Sequence, residues 1–507
     1  GTELNIDSLW DSTTLETSDV LASGFMNYLT PPTSKWFRLR HKNKALEANK
    51  NVTNYLEEVT EAVNSALNDS NFYPTIYPAY KSSGVYGTSV LLEEDDFEDG
   101  VRFYNLPVKQ VVIIEDGRGR VSEYYIEFEY TAFQAKTRWG EDKLNHTIKE
   151  ELAKGDRSYD KKHKFLLYIA KREDREIDKS DSTNLPIKAL WIDIAEKKVI
   201  DEGGYNEFPA MAHRFDKRPF IQWGYSPAMK ALPFARMLNA AAKTNMRAMM
   251  KQTDPPIAAP NNAFIMPFNS NPRAINYYNK NILDGQKSIF PFANYGNVQV
   301  GLNAVEYYAQ QVRALMYSDV FLAFQGLDKP MNNPEVYERI NEKMSMLGPA
   351  VGRFTGEVLH PIIIRTIGIL YRLGRLPDSP DEIRQDPSYE IDFIGTLAQA
   401  QKRSQLNSLM TALQITGQMS AVSPEVIDKI DPDKAVDETW DILGAPASVL
   451  RDDKEVQEIR EAKAEAMAKA QAMEMAGGVA QVAKTGAEAD KSLAEAKAQP
   501  SARGVME

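Results

Sequence analysis

The sequence predicts an α+β fold that is mainly helical. Three observations support this fold class. Alternating β-type patterns are concentrated in residues 101–221, apolar residues at helical spacing dominate the segments on either side, and 507 residues are too many for one compact core. We therefore expect two to four folding units, with most strands in the first half of the chain.

The N-terminal segment is predicted to form a helix at about 12–30. Leu21, Phe25 and Leu29 recur every four residues, which places them on one helix face. Pro31 and the proline after it end the pattern, because proline cannot continue a helix.

A strand and a second helix are expected next. In KWFRLR, Phe37 and Leu39 alternate with arginines, as in a half-buried strand. A helix is predicted at roughly 45–69. The acidic segment EEDDFEDG at 93–100 is interpreted as a solvated turn.

Residues 101–221 have the composition of strands. The segment VKQVVIIEDGRGRVSEYYIEFEY contains two β-rich runs joined at Asp116-Gly117, which is a hairpin signal. The runs KFLLYIAKRE and IKALWIDIAEKKVI predict further strands. Residues 1–221 are therefore predicted to form a mixed α+β unit.

A proline-rich insert separates the next two predicted helices. Ser226-Pro227 predicts the start of a helix that runs to about 251 and is kinked at Pro233. Residues 253–302 are rich in proline and aromatic residues, so we expect a small projecting module of short strands and loops. A helix returns at about 303–324.

A short break then precedes a much longer helix. Gly326 is suited to ending the helix before it, and Asn333-Pro334 to starting the helix after it. That helix is predicted to run to about 373, with bends at Gly348-Pro349 and His360-Pro361. A strand at YEIDFIG follows, then helices at 396–416, 432–443 and 452–476. The tail beyond Gly477-Gly478 is expected to be disordered at least in part.

The composition excludes several classes of protein. The net charge of −11 argues against a protein that grips nucleic acid, although a protein that lets DNA pass remains compatible with it. The chain has no cysteine, which favours an intracellular origin, and no secretory signal is recognised. No run approaches the roughly 18 apolar residues of a membrane span, since PIIIRTIGILYRL is interrupted by Arg365.

The sequence offers no pattern typical of an active site. It lacks a phosphate-binding GxxxxGK loop followed by Ser or Thr, a GxGxxG fingerprint and a GxSxG elbow. Its five histidines are scattered, with no pair at a metal-binding spacing. We therefore expect no catalysis, no metal and no cofactor.

The helix predicted at 226–251 carries cations without acids, because no Asp or Glu occurs between positions 222 and 253. Four of these cations are spaced to share one helix face: Arg236, Lys243, Arg247 and Lys251. This basic stripe could lie near phosphates or form ion pairs with a neighbouring helix, and both interpretations stay open. Five methionines on the same helix are expected to pack rather than bind a cofactor: Met229, Met237, Met246, Met249 and Met250.

The order of elements resembles that of viral portal proteins, and more narrowly the head-to-tail connectors of short-tailed, podovirus-type double-stranded DNA bacteriophages. The segments that carry the resemblance begin with LASGFMNYLTPPTSKWFRL, followed by YSDVFLAF before the break. After it come NPEVYERINEKMSMLGP, LHPIIIRTIGILYRLGRLP and FIGTLAQAQKRSQLNSL. The similarity extends in order over nearly the whole chain.

The resemblance implies a portal fold of wing, stem, clip and crown regions assembled as a ring. By position, the regions are the wing at 1–221 and 334–395, the stem helices at 222–252 and 303–324, the clip at 253–302, the tunnel loop at 325–333, the crown at 396–478 and a flexible tail at 479–507.

The resemblance also implies sites of contact. The tunnel-loop residues expected to face DNA are Gln325, Leu327, Asp328, Lys329, Pro330, Met331, Asn332 and Asn333. The clip residues expected to contact other proteins are Phe264, Phe268, Tyr277, Tyr278, Phe290, Phe292 and Tyr295.

The implied function is a conduit for packaging and ejecting DNA at one capsid vertex. The implied partners are further copies in a ring of twelve, double-stranded DNA bound without sequence preference, the terminase large subunit, a tail adaptor, and the major capsid and scaffolding proteins. No membrane is involved. The protein would be made in the host bacterial cytoplasm and reside in the virion.

Two other functions are considered. Another ring-forming head–tail joining or tail component, such as an adaptor or nozzle, would not need two stem helices on either side of a clip. An enzyme, such as a nuclease or the packaging ATPase, would need the phosphate loop or clustered metal ligands that the sequence lacks.

Overall fold

Helices occupy more residues than strands in the computed structural model. The model describes residues 8–47, 49–96, 98, 100–155, 161–176, 181–253, 257–258, 290–291, 298–325, 346–394, 396–420, 425, 429–443, 451 and 455–469. The helices are α1 (Thr13–Leu29), α2 (Lys44–Glu47), α3 (Lys50–Asp69), α4 (Phe72–Tyr86), α5 (Ala132–Trp139), α6 (His146–Ala153), α7 (Pro227–Thr253), α8 (Val298–Leu315), α9 (Ser318–Gln325), α10 (346–354), α11 (His360–Arg372), α12 (Asp381–Gln385), α13 (Thr396–Ser420), α14 (Pro432–Leu443) and α15 (455–469).

The described strands form four antiparallel sheets, with the orders β1-β12, β3-β2-β9, β4-β5-β6-β7-β8 and β10-β11. The strands are β1 (Phe37–His41), β2 (Thr88–Asp96), β3 (Gly100–Leu106), β4 (Val111–Glu115), β5 (Val121–Thr131), β6 (Lys162–Lys171), β7 (Ile187–Asp193), β8 (Lys198–Tyr205), β9 (Ala210–Arg214), β10 (Ile257–Ala258), β11 (Phe290–Pro291) and β12 (Tyr389–Phe393). The predicted α+β, mainly helical class is confirmed.

The first core joins the two ends of the predicted wing. Strand β1 pairs with β12, so that Phe37 lies opposite Phe393. The fully buried Trp36 stacks on Phe72, with ring centroids 6.1 Å apart, and on Phe393, at 6.2 Å. Helix α1 buries Leu21 in this core, as its four-residue spacing predicts.

The three-stranded sheet lies between two hydrophobic cores. Successive side chains of a strand point to opposite faces. Leu91 of β2 therefore packs in the first core, while Val90 and Leu92 pack in the second core, beneath the five-stranded sheet. Because both faces of β2 are covered, its residues are buried continuously from Thr88 to Glu93 rather than alternately.

The five-stranded sheet contains the predicted hairpin. The turn after β4 is closed by Asp116, whose backbone N–H donates to the carbonyl of Arg120 at 2.8 Å. The run predicted as one strand at IKALWIDIAEKKVI forms two, β7 and β8. They are joined by a turn in which Lys197 has a φ of 54°.

The acidic segment predicted as a solvated turn belongs largely to strand β2, and this prediction was wrong. Residues 93–96 pair with β3, and Glu93 is fully buried. Its carboxyl accepts a hydrogen bond from Thr366 Oγ1 at 2.9 Å, while Oε2 has no partner among the described residues. Burial raises the pKa of Glu93 to about 8.

Arg365 of α11 compensates for this burial. Its guanidinium donates to the backbone carbonyl of Glu93 and that of Glu207, both at 3.1 Å, and to the Asp95 carboxylate at 3.0 Å. With 1% of its surface exposed, Arg365 is one of the largest fully buried side chains described. The residue that interrupts the apolar run of α11 therefore fastens that helix to strand β2.

The long helix is interrupted before the predicted bend at His360-Pro361. A π-helical turn, Thr355–Leu359, lies between α10 and α11, where Pro361 can supply no backbone N–H. Glu357 in this turn accepts from Arg214 at 2.6 Å. The start of the helix predicted at Pro334 lies outside the described residues, and α10 continues past Pro349.

His213 on β9 holds α4 and α10 together. Its Nδ1 lies 2.6 Å from Ser83 Oγ, and its Nε2 donates to the Ala350 carbonyl at 3.4 Å. Burial lowers the pKa of His213 to about 3, so the ring is neutral at physiological pH. A serine and a histidine this deeply buried act in packing, as expected for the histidines.

Candidate functional site

Two helices leave the wing side by side, at the positions predicted for the stem. Helix α7 packs against α8 through Leu238, and α8 contributes Val312 to the same core. The pair approaches closely at Gly301, where an added Cβ would lie 2.5 Å from Asn245 Oδ1. Within the part of the chain described, no helix is long and apolar enough to cross a membrane.

The start of α7 is fixed to the wing. Ser226 Oγ accepts from the backbone N–H of Met229 at 2.9 Å, which confirms the predicted helix cap, and donates to the Val85 carbonyl at 2.8 Å. Beside it, Gly224 and Gly87 are in such close contact that a Cβ on Gly224 would lie 2.0 Å from the Gly87 oxygen. These contacts fix the direction in which α7 leaves the wing.

The basic stripe lies on the side of α7 that faces away from α8. Arg236, Arg247 and Lys251 are exposed. Among the described residues, Arg236 and Arg247 form no ion pair, so the row of ion pairs to a neighbouring helix is not formed by them within one chain. Both guanidinium groups face the surroundings of the chain.

The N-terminal segment lies along the stripe, a contact that the sequence did not indicate. The backbone N–H of Trp10 donates to Asn239 Oδ1 at 2.8 Å, and Asn239 Nδ2 donates to the Ser8 carbonyl at 3.1 Å. Lys243 Nζ lies 5.6 Å from the centroid of the Trp10 ring, within reach of a cation–π contact. Lys243 is therefore half-buried, unlike the other three cations of the stripe.

The methionines of α7, expected to pack, are only about half covered by the described part of the chain. Their exposed fractions range from 40% to 57%: Met229, Met237, Met246, Met249 and Met250. Among the described residues, no apolar side chain covers the exposed parts of these methionines.

The predicted second stem helix is two helices, so its prediction as one element was wrong. Between α8 and α9, Tyr317 has a φ of 58°, a conformation that interrupts a right-handed helix. After this break, Phe321 is buried beside Phe25 and Tyr28, with ring centroids 6.1 and 5.7 Å away. The approach is tight, since a Cβ on Gly24 would lie 2.3 Å from the Phe321 ring.

The anchored Phe321 lies four residues before Gln325, the first of the predicted tunnel-loop residues and the last residue of α9. The other tunnel-loop residues lie outside the described part of the chain: Leu327, Asp328, Lys329, Pro330, Met331, Asn332 and Asn333. Phe321 therefore anchors α9 in the first core four residues before the helix ends.

Of the clip residues, Phe290 lies in β11, which pairs with β10, so the predicted module contains at least this short hairpin-like pair. The other clip candidates fall outside the described residues: Phe264, Phe268, Tyr277, Tyr278, Phe292 and Tyr295. The tail at 479–507 does so as well.

The described residues include no group of three or more His, Cys, Asp or Glu side chains arranged to hold a metal ion. The chemistry that the site does offer is contact, through exposed methionines and exposed cations on a pair of packed helices. A mixed α+β core that carries such a helix pair is typical of a protein that works by contact with other molecules.

The comparison with protein families agrees with this class. The family model described as "Bacteriophage head to tail connecting protein" matches residues 2–450. The chain belongs to that family. The head-to-tail connector function expected from the sequence is thereby confirmed.

Two curated proteins are similar over most of their length. One is the "Portal protein" of Salmonella phage epsilon15, 29% identical over 471 residues, which are 92% of this chain and 84% of that protein. The other is the "Probable portal protein" of Bordetella phage BPP-1, 28% identical over 468 residues, with the same two coverages. The resemblance to podovirus portal proteins is confirmed.

Solved structures show a more distant likeness. One is titled "Virion of native gene transfer agent (GTA) particle", with 9% identity, a TM-score of 0.37, and coverage of 80% of this chain and 86% of that one. Another, "Neck of empty GTA particle computed with C6 symmetry", has 10% identity, a TM-score of 0.36, and coverage of 79% and 86%.

Proposed function

We propose that this connector assembles as a closed ring of twelve copies at one capsid vertex, where it forms the conduit for DNA packaging and ejection. The observation that carries the proposal is the projecting helix pair, whose methionines are 40–57% exposed in the single chain. Exposed apolar surface of this kind marks a contact with another protein. A contact between two different faces of identical copies closes into a ring when the rotation permits.

Assembly is tested by imaging the purified protein and by native mass spectrometry. Closed rings are expected, whereas monomers at every concentration would refute the proposal. Met246→Glu with Met250→Glu should lower the affinity between copies by at least about tenfold. The double change should not unfold the chain, because both side chains are exposed in the single chain. Thr137→Glu, an exposed position on α5, serves as the control.

The charge of the chain supports passage of DNA rather than capture. Each copy carries a net charge of −11, and DNA carries about one negative charge per 1.7 Å of its axis. An acidic conduit does not bind phosphates, so DNA can move in either direction. The exposed Arg236 and Arg247 then contact either DNA phosphates or acidic groups of a neighbouring copy.

The two roles of the stripe are distinguished by charge reversal. Arg236→Glu with Arg247→Glu should dissociate the ring if the stripe binds the neighbouring copy. If the stripe faces DNA, the same variant should form rings that dissociate at the same midpoint as the wild type, but it should package less DNA. The salt dependence of ring stability should decrease only in the first case, because only then are intersubunit charge pairs removed.

The segment 325–333 is proposed as the tunnel loop. Its first residue is placed by the anchored Phe321, which supports a loop that starts from a rigid base. Replacing residues 327–331 with a Gly-Ser link should preserve rings but impair DNA packaging or retention. Lys329→Ala should be milder, since one exposed cation contributes little. Loss of rings, or unchanged genome length and infectivity, would contradict this assignment.

The clip at 253–302 is proposed to bind first the terminase large subunit and later a tail adaptor, and the wing to contact the major capsid and scaffolding proteins. Its position in the sequence supports this role, since most of it falls between the end of α7 and the start of α8. Replacing the clip aromatics with serine should abolish terminase binding while rings persist.

The protein is proposed to have no catalytic activity. The missing phosphate loop in the sequence supports this. ATP hydrolysis or DNA cleavage that co-purifies with the chain, and is lost when one of its carboxylates is mutated, would overturn the proposal.

Deleting residues 479–507 should leave ring assembly intact, since few large apolar groups occur there.

A further inference from the structure

Helices α13 and α14 hold an apolar groove between them, which we name the crown groove. Its volume is about 440 Å³, and its lining includes Leu413, Gly417, Ile430, Val436 and Trp440. It opens to the outside of the chain, and Val436 is 49% exposed. A groove this apolar is unfavourable in water unless another surface covers it.

The polar groups that line the crown groove are already engaged. Thr416 Oγ1 donates to the Ala412 carbonyl at 2.8 Å, and Thr439 Oγ1 donates to the Ala435 carbonyl at 2.7 Å. Small-molecule sites orient their ligands with a few well-placed polar groups. Two hydroxyls bonded back to their own helices do not serve that purpose, so the groove suits apolar side chains.

Gly417 leaves room for such side chains. A Cβ built on it would meet nothing within 4 Å. Leu413 and Gly417 are four residues apart, so the open part of the groove extends over about one helical turn, or roughly 5–6 Å. Side chains spaced four residues apart on a second helix would match that length.

The other side of α13 carries such a pair of side chains. Ile415 and Met419 are 52% and 57% exposed, and we name them the crown ridge. Each lies two residues beyond a groove residue, about 200° around the helix, so ridge and groove occupy opposite sides of α13. No charged residue occurs from Ser404 to Ser420, although the exposed face of a solvated helix is normally charged.

We propose that the crown ridge of one copy inserts into the crown groove of the next. Ridge and groove match in apolar character and in spacing, and their placement on opposite sides of one helix gives each copy two different contact surfaces. Such a heterologous contact propagates from copy to copy, and it closes as a ring when the rotation between copies permits. The inference rests on the proposed ring and identifies which crown side chains join its subunits.

The absence of cysteine from the chain provides a clean test. Ile415→Cys combined with Val436→Cys should give disulfide-linked multimers upon mild oxidation of assembled rings, seen as a ladder on a non-reducing gel. Gln414→Cys combined with Val436→Cys is the matched control, because Gln414 lies on a third side of α13. The control should yield at least about tenfold less crosslinked product, since its thiols are too far apart.

A second variant fills the groove without disturbing the single chain. Gly417→Leu, added to the cysteine pair, should lower the crosslinked fraction about tenfold or more, because the new side chain occupies the space of the ridge. Gln414→Leu should not lower it. Circular dichroism should confirm that both variants retain their helices.

Four outcomes would overturn the inference. Closed rings without a ladder, or a ladder that Gly417→Leu leaves unchanged, would reject the ridge-in-groove contact while the proposed ring stands. If residues 470–507 of the same chain fill the groove, a thiol at Val436→Cys should become alkylated faster upon their removal, with no ladder at any stage. Absence of rings altogether would reject both proposals.

Discussion

Replacing Glu93 with glutamine should stabilise the protein near neutral pH. The carboxyl is fully buried in strand β2, and burial raises its pKa from 4.5 to about 8, against the opposing influence of Arg365 and Thr366. Glutamine keeps the oxygen that accepts from Thr366 Oγ1 at 2.9 Å, but it carries no charge at any pH.

The size of the effect follows from the raised pKa. Between pH 4.5 and about 8, the folded protein holds a proton that the unfolded chain has released. The free energy of unfolding therefore falls by about 1.4 kcal/mol per pH unit as the pH rises through this range. At pH 7, Glu93 lowers the free energy of unfolding by about 3 kcal/mol. Glutamine does not titrate, so it does not cause this loss.

The assay is urea unfolding of the wild type and of Glu93→Gln at pH 5 and pH 7.5. The two proteins should differ by less than about 1 kcal/mol at pH 5, and the variant should be more stable by about 4 kcal/mol at pH 7.5. Taking the difference between the two proteins removes the contributions of all other titrating groups. Thr366→Val should act in the opposite direction, because loss of its hydrogen bond raises the pKa of Glu93 further.

Parallel pH profiles for the wild type and Glu93→Gln would refute this reasoning. Such a result would mean that water or a structural change solvates the carboxylate at neutral pH. A variant less stable than the wild type at both pH values would instead mean that the charged form of Glu93 is required by Arg365, despite the raised pKa.

Three further predictions concern the wing. Gly224→Ala should lower the free energy of unfolding, measured by urea titration, by about 1–3 kcal/mol, because the added Cβ would collide with the Gly87 oxygen. Gly203→Ala is the control. Gly203 has open space around it, so this change should alter the free energy of unfolding little. Phe321→Ala should cost about 3–5 kcal/mol by leaving a cavity in the core, and a loss below about 1 kcal/mol would contradict the anchoring of α9. His213→Gln should reduce the fall in the free energy of unfolding as the pH drops from 6.5 to about 3. The reason is that the unfolded histidine takes up a proton in that range and the buried one does not. Acid unfolding followed by fluorescence measures this.

Elements with strong local signals were predictable from the sequence. Helix α1 spans Thr13–Leu29 against a predicted 12–30, and α14 spans Pro432–Leu443, as predicted. The hairpin at Asp116-Gly117 and the cap at Ser226 were also recognised. In each case the deciding interactions join residues close in sequence, so the local pattern contains the information.

Other features depend on residues far apart in the chain. Glu93 lies in an acidic run that locally predicts exposure, and the groups that compensate for its burial, Arg365 and Thr366, are more than 270 residues away. The break at Tyr317 has no glycine or proline to announce it; its ring stacks on Phe215, with centroids 6.5 Å apart. Tertiary contacts decide both cases, and a single sequence does not reveal them.

The candidate site also has some features that could be predicted from the sequence and others that could not. The one-sided placement of Arg236 and Arg247 follows from helical spacing and could be predicted. That the N-terminal Trp10 would lie over Lys243, more than 200 positions away, could not. The exposure of the α7 methionines was also missed, because an apolar residue in a sequence does not state whether its partner belongs to the same chain.

The pairing of β1 with β12 has a consequence for synthesis on the ribosome. Arg38 and Asp392, which face each other across this sheet, are separated by 354 residues. At about 5–20 residues per second, translation takes roughly 20–70 s to deliver the second strand after the first has emerged. During this interval β1 and the apolar face around Trp36 lack part of their covering, and they are exposed to chaperones and to other nascent chains. The sheet of β1 and β12 can therefore become complete only after the ribosome has added residue 393.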